Sequence, residues 1–431
     1  MKKDAMASPP RRNDLLISRV NFSSGFSMIL DDNELLRIEK QNRRHIFGCA
    51  VDLGTMSVCM SLCNVESGEE LSSATVPNRQ SEFGQNLISR ARFAARSEKN
   101  RKAIKEGTLF SMNKAIEECV RKSGVDRQRI YTAVIVGNPF MHNFLFGIPL
   151  HDNKNDGRGN VSFVLHKTKA RMLDFSINPD ANVRFLPGIN RIIGSDVLAT
   201  IFSLRFHASK TIKLCVDVGA HVKVILGSAA GVVVASSASS AVFEEGILKC
   251  GMVAGAGAIE WIRIEKGKIK LLTIGHIRPR GLCGSGIIDA VSELRRVGII
   301  DSRGQMKKHS FLIYKDKKVR IELTQQDVNN INASTAAVRL AIGRLMKRLK
   351  VIPARISNVF LAGALGDYVN AENIIRTGLL PEVLKNKISF VGNTAFCGAK
   401  RALLSRKVLK TIISLRGKVK HVPFSRKGNI H

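Results

Sequence analysis

Two short segments of the sequence share one pattern, in which an apolar strand ends in Asp-x-Gly and a second apolar run follows. The turns hold Asp52 and Gly54 in the first copy, and Asp217 and Gly219 in the second. Each copy predicts a β-hairpin, because glycine reaches the positive φ that tight turns need. Because each copy opens a comparable half of the chain, the pattern indicates two related lobes.

The two turns carry residue types that suit a polyphosphate. Glycine lets a ligand approach the backbone N–H groups, and an aspartate can hold a hydrated Mg²⁺. An ordinary Asp-x-Gly turn is the alternative for a single copy, and the repetition favours a site. Two such hairpins can clamp a polyphosphate from both sides. Asp52 and Asp217 are therefore the candidate metal-binding residues.

Composition sets the outer limits of what the chain can be. A length of 431 residues predicts two to three domains. No apolar run reaches 18 residues, so we expect no membrane span. The basic N-terminus leads into no apolar signal segment, so we expect a cytoplasmic protein. The eight cysteines form no C-x-x-C, which predicts reduced core thiols and neither a zinc nor an iron–sulfur site.

The charge is strongly positive, with 68 Lys and Arg against 35 Asp and Glu and a net charge of +33. Residues 400–431 contain ten Lys and Arg and no acidic residue, and 307–320 is a second basic cluster. Such a surface attracts polyanions, which include nucleic acid, anionic lipid and acidic proteins. No nucleic-acid-binding motif accompanies it. A solvated basic surface is the other interpretation, and the sequence leaves both open.

Strands alternate with helices along the chain, which predicts an α/β protein. We expect four parts: a tail and entry segment at 1–45, a first lobe at 46–210, a second lobe at 211–400 and a basic tail at 401–431. The clearest helix patterns lie at 87–95, 112–122, 287–296 and 327–349.

A late buried strand ends in Gly363-Ala364-Leu365-Gly366. Together with the two hairpins, this order resembles the actin-like ATPase superfamily of sugar and acetate kinases, heat-shock chaperone ATPases and dehydratase activators. The resemblance implies two lobes, each a ribonuclease-H-like mixed sheet with helices, and Mg·ATP in the cleft between them. It implies phosphate loops at Asp52–Thr55 and Asp217–Ala220, and an adenosine loop at Gly363–Gly366.

Two further segments gain a role from this resemblance. The helix at 194–199 is similar to the connecting helix of the superfamily, which makes Asp196 the candidate acidic residue beside the attacking water. A helix N-cap is the competing role for Asp196. Gly284 and Gly286 open a helix from a glycine-rich turn, which suits either an anion site or close helix packing.

A narrower resemblance covers about Gly48 to Leu404 and rests on six strings that occur in a fixed order. These strings are Asn78-x-Gln80-x-x-Phe83-Gly84, Gly137-Asn138-x-x-Met141-His142, Gly251-Met252-x-Ala254, Gly281-Leu282-Cys283-Gly284-Ser285-Gly286-Ile287-Ile288-Asp289, Gly378-Leu379-Leu380-Pro381 and Val391-Gly392-Asn393-Thr394. Together they resemble the reductive activators of corrinoid proteins, which use ATP to drive electron transfer onto a cobalamin cofactor. The resemblance implies a corrinoid protein as the partner.

The sequence departs from those activators at several places, among them the segment 239–246, which lacks their Gly-Pro. It lacks the C-x₄-C-x₂-C spacing of their plant-type iron–sulfur domain, so we expect no iron–sulfur cluster. In the second phosphate loop, Ala220 stands where the family has Thr, and Lys223 stands where it has Glu. Losing one hydrogen bond to a charged group costs about 1.5–3 kcal/mol. These changes predict weaker turnover with binding retained.

The sequence therefore supports one leading function and leaves others open. The first is an ATP-binding protein related to the corrinoid-protein activators, with weak or regulatory ATPase activity. The alternative is a non-catalytic protein of the same fold that binds an acidic partner or nucleic acid through its basic surface. A sugar-kinase-like phosphotransferase is a third option, and a homodimer stays open. His142 and His221 are expected to be isolated residues that are structural or exposed.

Overall fold

The computed structural model describes residues 14–40, 45–84, 86–150, 163–219, 221–237, 248–252, 254–363 and 369–423. Its strands are β1 Ile17–Asn21, β2 Phe26–Asp31, β3 Glu34–Lys40, β4 Phe47–Leu53, β5 Ser57–Asn64, β6 Glu70–Pro77, β7 Ile130–Gly137, β8 His166–Lys169, β9 Asn182–Phe185, β10 Ile212–Val218, β11 Val222–Ser228, β12 Gly231–Ser237, β13 Ala258–Glu265, β14 Lys268–Thr273, β15 Gly281–Leu282, β16 Ser310–Lys315, β17 Arg320–Thr324, β18 Ile356–Gly363, β19 Ile388–Gly392 and β20 Val419–His421. Its α-helices are α1 Leu87–Arg96, α2 Glu98–Ser123, α3 Pro139–Phe146, α4 Ser195–Ser203, α5 Gly284–Arg296, α6 Gln325–Leu349, α7 Ala371–Arg376, α8 Thr394–Leu404 and α9 Arg406–Ser414.

The chain divides into two compact units. The first unit comprises Met1–Leu204 and Ala395–Lys418, and the second comprises Arg205–Thr394 and Val419–His431. The division into four parts that the sequence predicts stays a prediction beside these two units.

The first unit is built on a six-stranded sheet with the strand order β6-β5-β4-β7-β9-β8. Strands β6, β5 and β4 are antiparallel neighbours, and β4, β7 and β9 run parallel. Every residue of β7 is buried, as is typical of a parallel strand that is covered on both faces. Helix α2 packs on this sheet; Ser97 accepts a hydrogen bond at its start and Gly124 ends it at a φ of 69°.

The second unit repeats this arrangement in a sheet with the order β19-β18-β10-β11-β12-β20. Strands β12, β11 and β10 are antiparallel neighbours, and β10, β18 and β19 run parallel. Helix α6 packs on β11 and β12; its first turn is closed by a capping box between Thr324 and Asp327. A mixed sheet with helices in each unit confirms the expected α/β class.

The repeat holds at the level of single residues. In the first unit Leu53, which follows Asp52, pairs with Gly137 at the end of β7. In the second unit Val218, which follows Asp217, pairs with Gly363 at the end of β18. Each aspartate is therefore the last residue but one of a central strand of its sheet, beside a parallel strand that ends in glycine.

Both ends of the chain contain more regular structure than the sequence analysis expected. Strands β1, β2 and β3 form a three-stranded antiparallel sheet within the expected entry segment. Within the expected basic tail, α9 buries Leu409 and Ile412 and begins at Ser405, whose hydroxyl accepts the Val408 N–H at 3.1 Å. The apolar side chains lie three residues apart, so one face of this basic segment packs against the protein.

Each unit has its own apolar core. Buried Val, Ile and Leu side chains from the sheet and its covering helices form one cluster per unit. Cys49, Cys63, Cys119, Cys215 and Cys283 are buried free thiols. In the part of the chain that the structure describes, no helix is both long and apolar enough to cross a membrane.

Candidate functional site

The first hairpin presents Asp52 at the end of β4, and β5 returns antiparallel to it. The turn is closed by the Gly54 N–H, which donates to the Ser57 carbonyl at 3.0 Å. A Cβ on Gly54 would lie 2.8 Å from that same carbonyl oxygen. The turn therefore requires glycine at this position because of this close approach, and not because of the positive φ that the sequence predicted, which Gly54 does not have.

Three side chains from other elements hold this turn in place. The Asn78 amide donates to the Gly54 carbonyl at 2.8 Å, and the Asn138 amide donates to the Thr55 hydroxyl at 3.2 Å. The Arg90 guanidinium donates to the Thr55 carbonyl at 2.5 Å. These bonds fix the backbone of the predicted phosphate loop before any ligand arrives.

Arg90 was not predicted as a site residue. It lies on α1, its side chain is fully buried, and its Nε donates to the Gly84 carbonyl at 2.8 Å. Its guanidinium places a positive charge directly behind the loop, where it favours an anion on the other side. The only sequence signal near it is the Phe83-Gly84 string, which does not point to an arginine six residues later.

Asp196 lies in the first turn of α4 with 6% of its surface exposed. The residue before this helix, Gly194, packs so closely that a Cβ would lie 2.2 Å from the Gly137 carbonyl oxygen. Gly137 precedes Asn138, whose amide binds Thr55. The structure thus brings Asp196 to the same end of the sheet as the first loop. Asp196 Oδ1 also accepts the Val197 N–H at 2.8 Å, and its role as a base stays a prediction.

The second hairpin presents Asp217 at the end of β10. Lys223 stands directly opposite on β11, with its Nζ 3.9 Å from Asp217 Oδ2. Gly219 follows in the turn and is half-buried, and Ala220 lies outside the described residues. Lys223, which stands where the family has Glu, therefore forms an ion pair with the candidate metal ligand Asp217.

Gly363 joins the predicted adenosine loop to this hairpin. Its φ is +94°, and a Cβ would lie 2.1 Å from the Val218 carbonyl oxygen and 2.9 Å from Asp217 Oδ1. Only glycine fits a position with that φ and those neighbours. The predicted residue Gly366 lies outside the described residues.

Gly284 and Gly286 lie in the first turn of α5 and are buried. A Cβ on Gly286 would lie 2.1 Å from the Ile259 carbonyl oxygen. Gly286 therefore serves the close packing of α5 on β13, which was one of its two expected roles. An anion site at Gly284 and Gly286 stays a prediction.

Two buried carboxyl groups on α5 face the edge of β13. Asp289 accepts the Asn373 amide at 2.6 Å and the Ile262 N–H at 3.4 Å. Glu293 accepts the Ile264 N–H at 2.9 Å. Burial raises the pKa of Asp289 to about 7, and the Asn373 hydrogen bond only partly opposes that rise. These groups act as hydrogen-bond partners for a strand edge.

The expectation that His142 is isolated is wrong, because its ring packs against other rings. It is buried on α3, with its ring centroid 5.6 Å from that of His166 and 4.9 Å from that of Phe185. The reason is that α3 follows β7 directly and packs over β8 and β9. Burial lowers the pKa of His142 to about 4, which keeps the ring neutral at pH 7.

The chain matches two models of one family. The model described as the RACo middle region matches residues 47–209, and the C-terminal domain of RACo, the ASKHA domain, matches 211–430. The corrinoid activation enzyme RamQ of Eubacterium limosum is 29% identical over 419 residues, covering 90% of this chain and 70% of the relative. The [Co(II) methylated amine-specific corrinoid protein] reductase of Methanosarcina barkeri is 22% identical, covering 87% and 73%.

A solved structure is similar to nearly the whole chain. The reductive activator for corrinoid, iron–sulfur protein matches with a TM-score of 0.85 and 28% identity, over 93% of this chain and 68% of that one. The resemblance expected from the ordered strings is confirmed. Since the ASKHA model alone matches more than half of the residues, the chain belongs to the RACo family.

Proposed function

We propose that this chain binds Mg·ATP and uses it to drive the reductive activation of a corrinoid protein. The observation that carries the proposal is the doubled hairpin, with Asp52 and Asp217 at equivalent ends of two equivalent sheets in a RACo-family chain. The names of the similar proteins support the corrinoid protein as the substrate.

The first loop fits a hydrated magnesium ion beside a phosphate. Asp52 offers one carboxylate, and the described residues contain no group of three or more His, Cys, Asp or Glu able to hold a metal. Mg²⁺ usually keeps several waters and is bound through one or two carboxylates and substrate phosphates, so a single aspartate is enough. Thr55 and the buried Arg90 would favour the phosphate itself.

The second loop would contribute less to metal binding than the first. Its carboxylate already has a cation beside it, because the Lys223 ammonium lies 3.9 Å from Asp217 and would compete with a metal ion for it. We therefore propose Asp52 as the principal magnesium residue, with Asp217 secondary as a metal ligand. Asp196 is proposed as the residue that orients water.

The test is the ATP-dependent reduction of corrinoid proteins encoded in the same genome, each purified in the Co(II) state. Ti(III) citrate supplies one electron per cobalt, and the visible spectrum reports the formation of Co(I). We expect reduction with Mg·ATP and the wild-type chain, and a large loss with Asp52→Asn. Equal reduction with and without ATP for every corrinoid protein would refute the proposal.

A non-catalytic binding protein is the second candidate, and the Lys223–Asp217 ion pair is the observation that favours it. In this case the chain would bind nucleotide and a partner without turnover. ADP release from purified protein, measured with and without the corrinoid protein, separates the two candidates. Bound ATP that is never hydrolysed, with or without that partner, would favour the second.

A further inference from the structure

The outer face of the sheet β1-β2-β3 is apolar and exposed. Directly paired residues of an antiparallel sheet share a face, and the register places Val20, Met28 and Ile38 side by side across the three strands. Leu30 pairs with Leu35 in the same way. Val20, Leu35 and Ile38 are exposed by 40%, 49% and 58% of their surface.

The sheet that carries this face is held to the rest of the first unit by contacts of its other face. The opposite face buries Ile29 completely, and Asp31 on that side is bound by Arg184 and by the Asn182 amide at 2.9 Å. The Tyr131 hydroxyl donates to Glu39 at 2.8 Å. The sheet is therefore fixed to the first unit by its inner face, and the apolar outer face is a firm surface.

An apolar surface of this size needs an explanation. Phe22 and Phe26, at the β1–β2 connection, are also exposed by 40% and 44%, which extends the apolar face to one end of the sheet. Contiguous apolar patches larger than a few hundred Å² on soluble proteins mark interaction sites. Five neighbouring apolar side chains with 40–58% of their surface exposed, together with the half-buried Met28 and Leu30, form a patch on the order of that size.

The charges around the face favour an acidic partner. Each carboxylate of β1–β3 and its turn has a cationic neighbour: Asp31 has Arg184, Asp32 has Arg406, Glu34 has Lys167 and Lys169, and Glu39 has Arg19. The two lysines lower the pKa of Glu34 to about 2.

Cations without such a neighbour remain near the sheet. Lys40 pairs with Phe26 at the rim of the face, and Lys407 and Lys410 are exposed on α9. None of the ion pairs of the described residues includes these three ammonium groups, although the Asp14 carboxylate lies beside α9 and accepts the Lys407 backbone N–H at 2.8 Å. Helix α9 adjoins the sheet through Arg406, whose Nε lies 3.1 Å from Asp32. The charge beside the apolar face is thus more positive than negative, with three ammonium groups against the Asp14 carboxylate, in a chain of net charge +33.

We propose that the outer face of β1–β3 is the docking surface for an acidic corrinoid protein, whose apolar centre covers Leu35 and Ile38 and whose carboxylates meet Lys40, Lys407 and Lys410. The identity of this partner rests on the proposed function. A second copy of this chain fits less well, because two surfaces of the same positive charge repel each other.

The first test places the photo-crosslinking residue p-benzoylphenylalanine at position 38 of the full chain in cells of the source organism. The matched control position is Leu340, an exposed apolar residue of α6 in the second unit. We expect position 38, and not 340, to crosslink a corrinoid protein of acidic composition, identified by mass spectrometry. A crosslink to this chain itself, to a protein without a corrinoid, or to nothing would overturn the proposal.

The second test measures affinity for the corrinoid protein with the variant Leu35→Ser/Ile38→Ser, which leaves the charge unchanged. The control variant is Leu340→Ser/Ile352→Ser, at two similarly exposed apolar residues. We expect the first variant to bind at least about tenfold more weakly, with an unchanged melting temperature and basal ATP turnover, and the control to bind normally. If ATP-dependent reduction works and the face variant binds and reduces like wild type, the docking proposal fails alone. If no corrinoid protein is reduced with ATP, the proposed function fails, and the crosslink at position 38 still decides the docking surface.

Discussion

Lys223 Nζ lies 3.9 Å from Asp217 Oδ2, directly across the β10–β11 hairpin. In the equivalent hairpin of the first unit, the residue opposite Asp52 is Cys59. One cross-strand neighbour is a cation and the other is a thiol. The two hairpins have the same fold and differ in charge directly opposite the aspartate.

The difference predicts unequal effects of removing the two carboxylates. Mg·ATP at about 100 times its dissociation constant would stabilise the wild-type chain by about 2.7 kcal/mol. We expect Asp52→Asn to lose most of the magnesium-dependent part, and Asp217→Asn to lose less because Lys223 already neutralises it. Thermal shifts with ATP in Mg²⁺ and in EDTA measure this. No shift in the wild type at millimolar nucleotide, or equal losses in both variants, would contradict it.

Restoring the family residues of the second loop should raise turnover. In Ala220→Thr/Lys223→Glu, one hydroxyl donor and one carboxylate return to a loop that faces the transferred phosphate in our proposal. We expect the ATPase rate to rise by roughly tenfold, which corresponds to one regained interaction of about 1.4 kcal/mol. The control is Lys210→Glu, an equal charge change at an exposed position of the same unit. An unchanged rate with intact binding would place the limit on turnover elsewhere.

Arg90 should matter for the stability of the chain. Arg90→Met leaves the Thr55 and Gly84 carbonyls without their guanidinium donor, which we expect to cost roughly 2–4 kcal/mol in free energy of unfolding. Arg92→Met, at an exposed position of the same helix, should stay within about 0.5 kcal/mol. Urea unfolding measures both variants. Equal stability of the two would show that the buried guanidinium does not support the loop.

Asp289 should make the stability of the chain depend on pH. Its pKa rises from an ordinary 3.8 to about 7 on folding, so the folded state binds the proton more tightly than the unfolded state. The stabilisation is complete below about pH 3.8 and is lost as pH rises through about 7, by up to about 4 kcal/mol. We expect Asp289→Asn to flatten this part of the profile, measured by urea unfolding between pH 5 and pH 8.

The control for Asp289 is Glu382→Gln, which alters an exposed carboxyl group of the same unit. It should leave the slope of stability against pH unchanged. Parallel profiles for wild type and Asp289→Asn would show that Asp289 does not titrate in this range.

Both hairpins could be predicted from the sequence, because an apolar run, Asp-x-Gly and a second apolar run determine a strand, a turn and a strand locally. The sequence could not reveal Arg90, whose role depends on Thr55, 35 positions away in the chain. The sequence shows a lysine at position 223, but its ion pair with Asp217 could be identified only from the register of β10 and β11. The C-terminal segment was interpreted from its positive charge alone. The spacing of Leu409 and Ile412 also indicates an amphipathic helix, which the structure contains as α9.

The path of the chain limits how the protein can be dissected. The C-terminal segment returns first to the first unit, where it forms α8 and α9, and then to the second, where β20 pairs with β12. Neither unit is a single continuous stretch of sequence. A fragment that stops near residue 394 would deprive the first unit of two helices and the second of an edge strand. Shortening the protein at its C-terminus should therefore damage both halves at once.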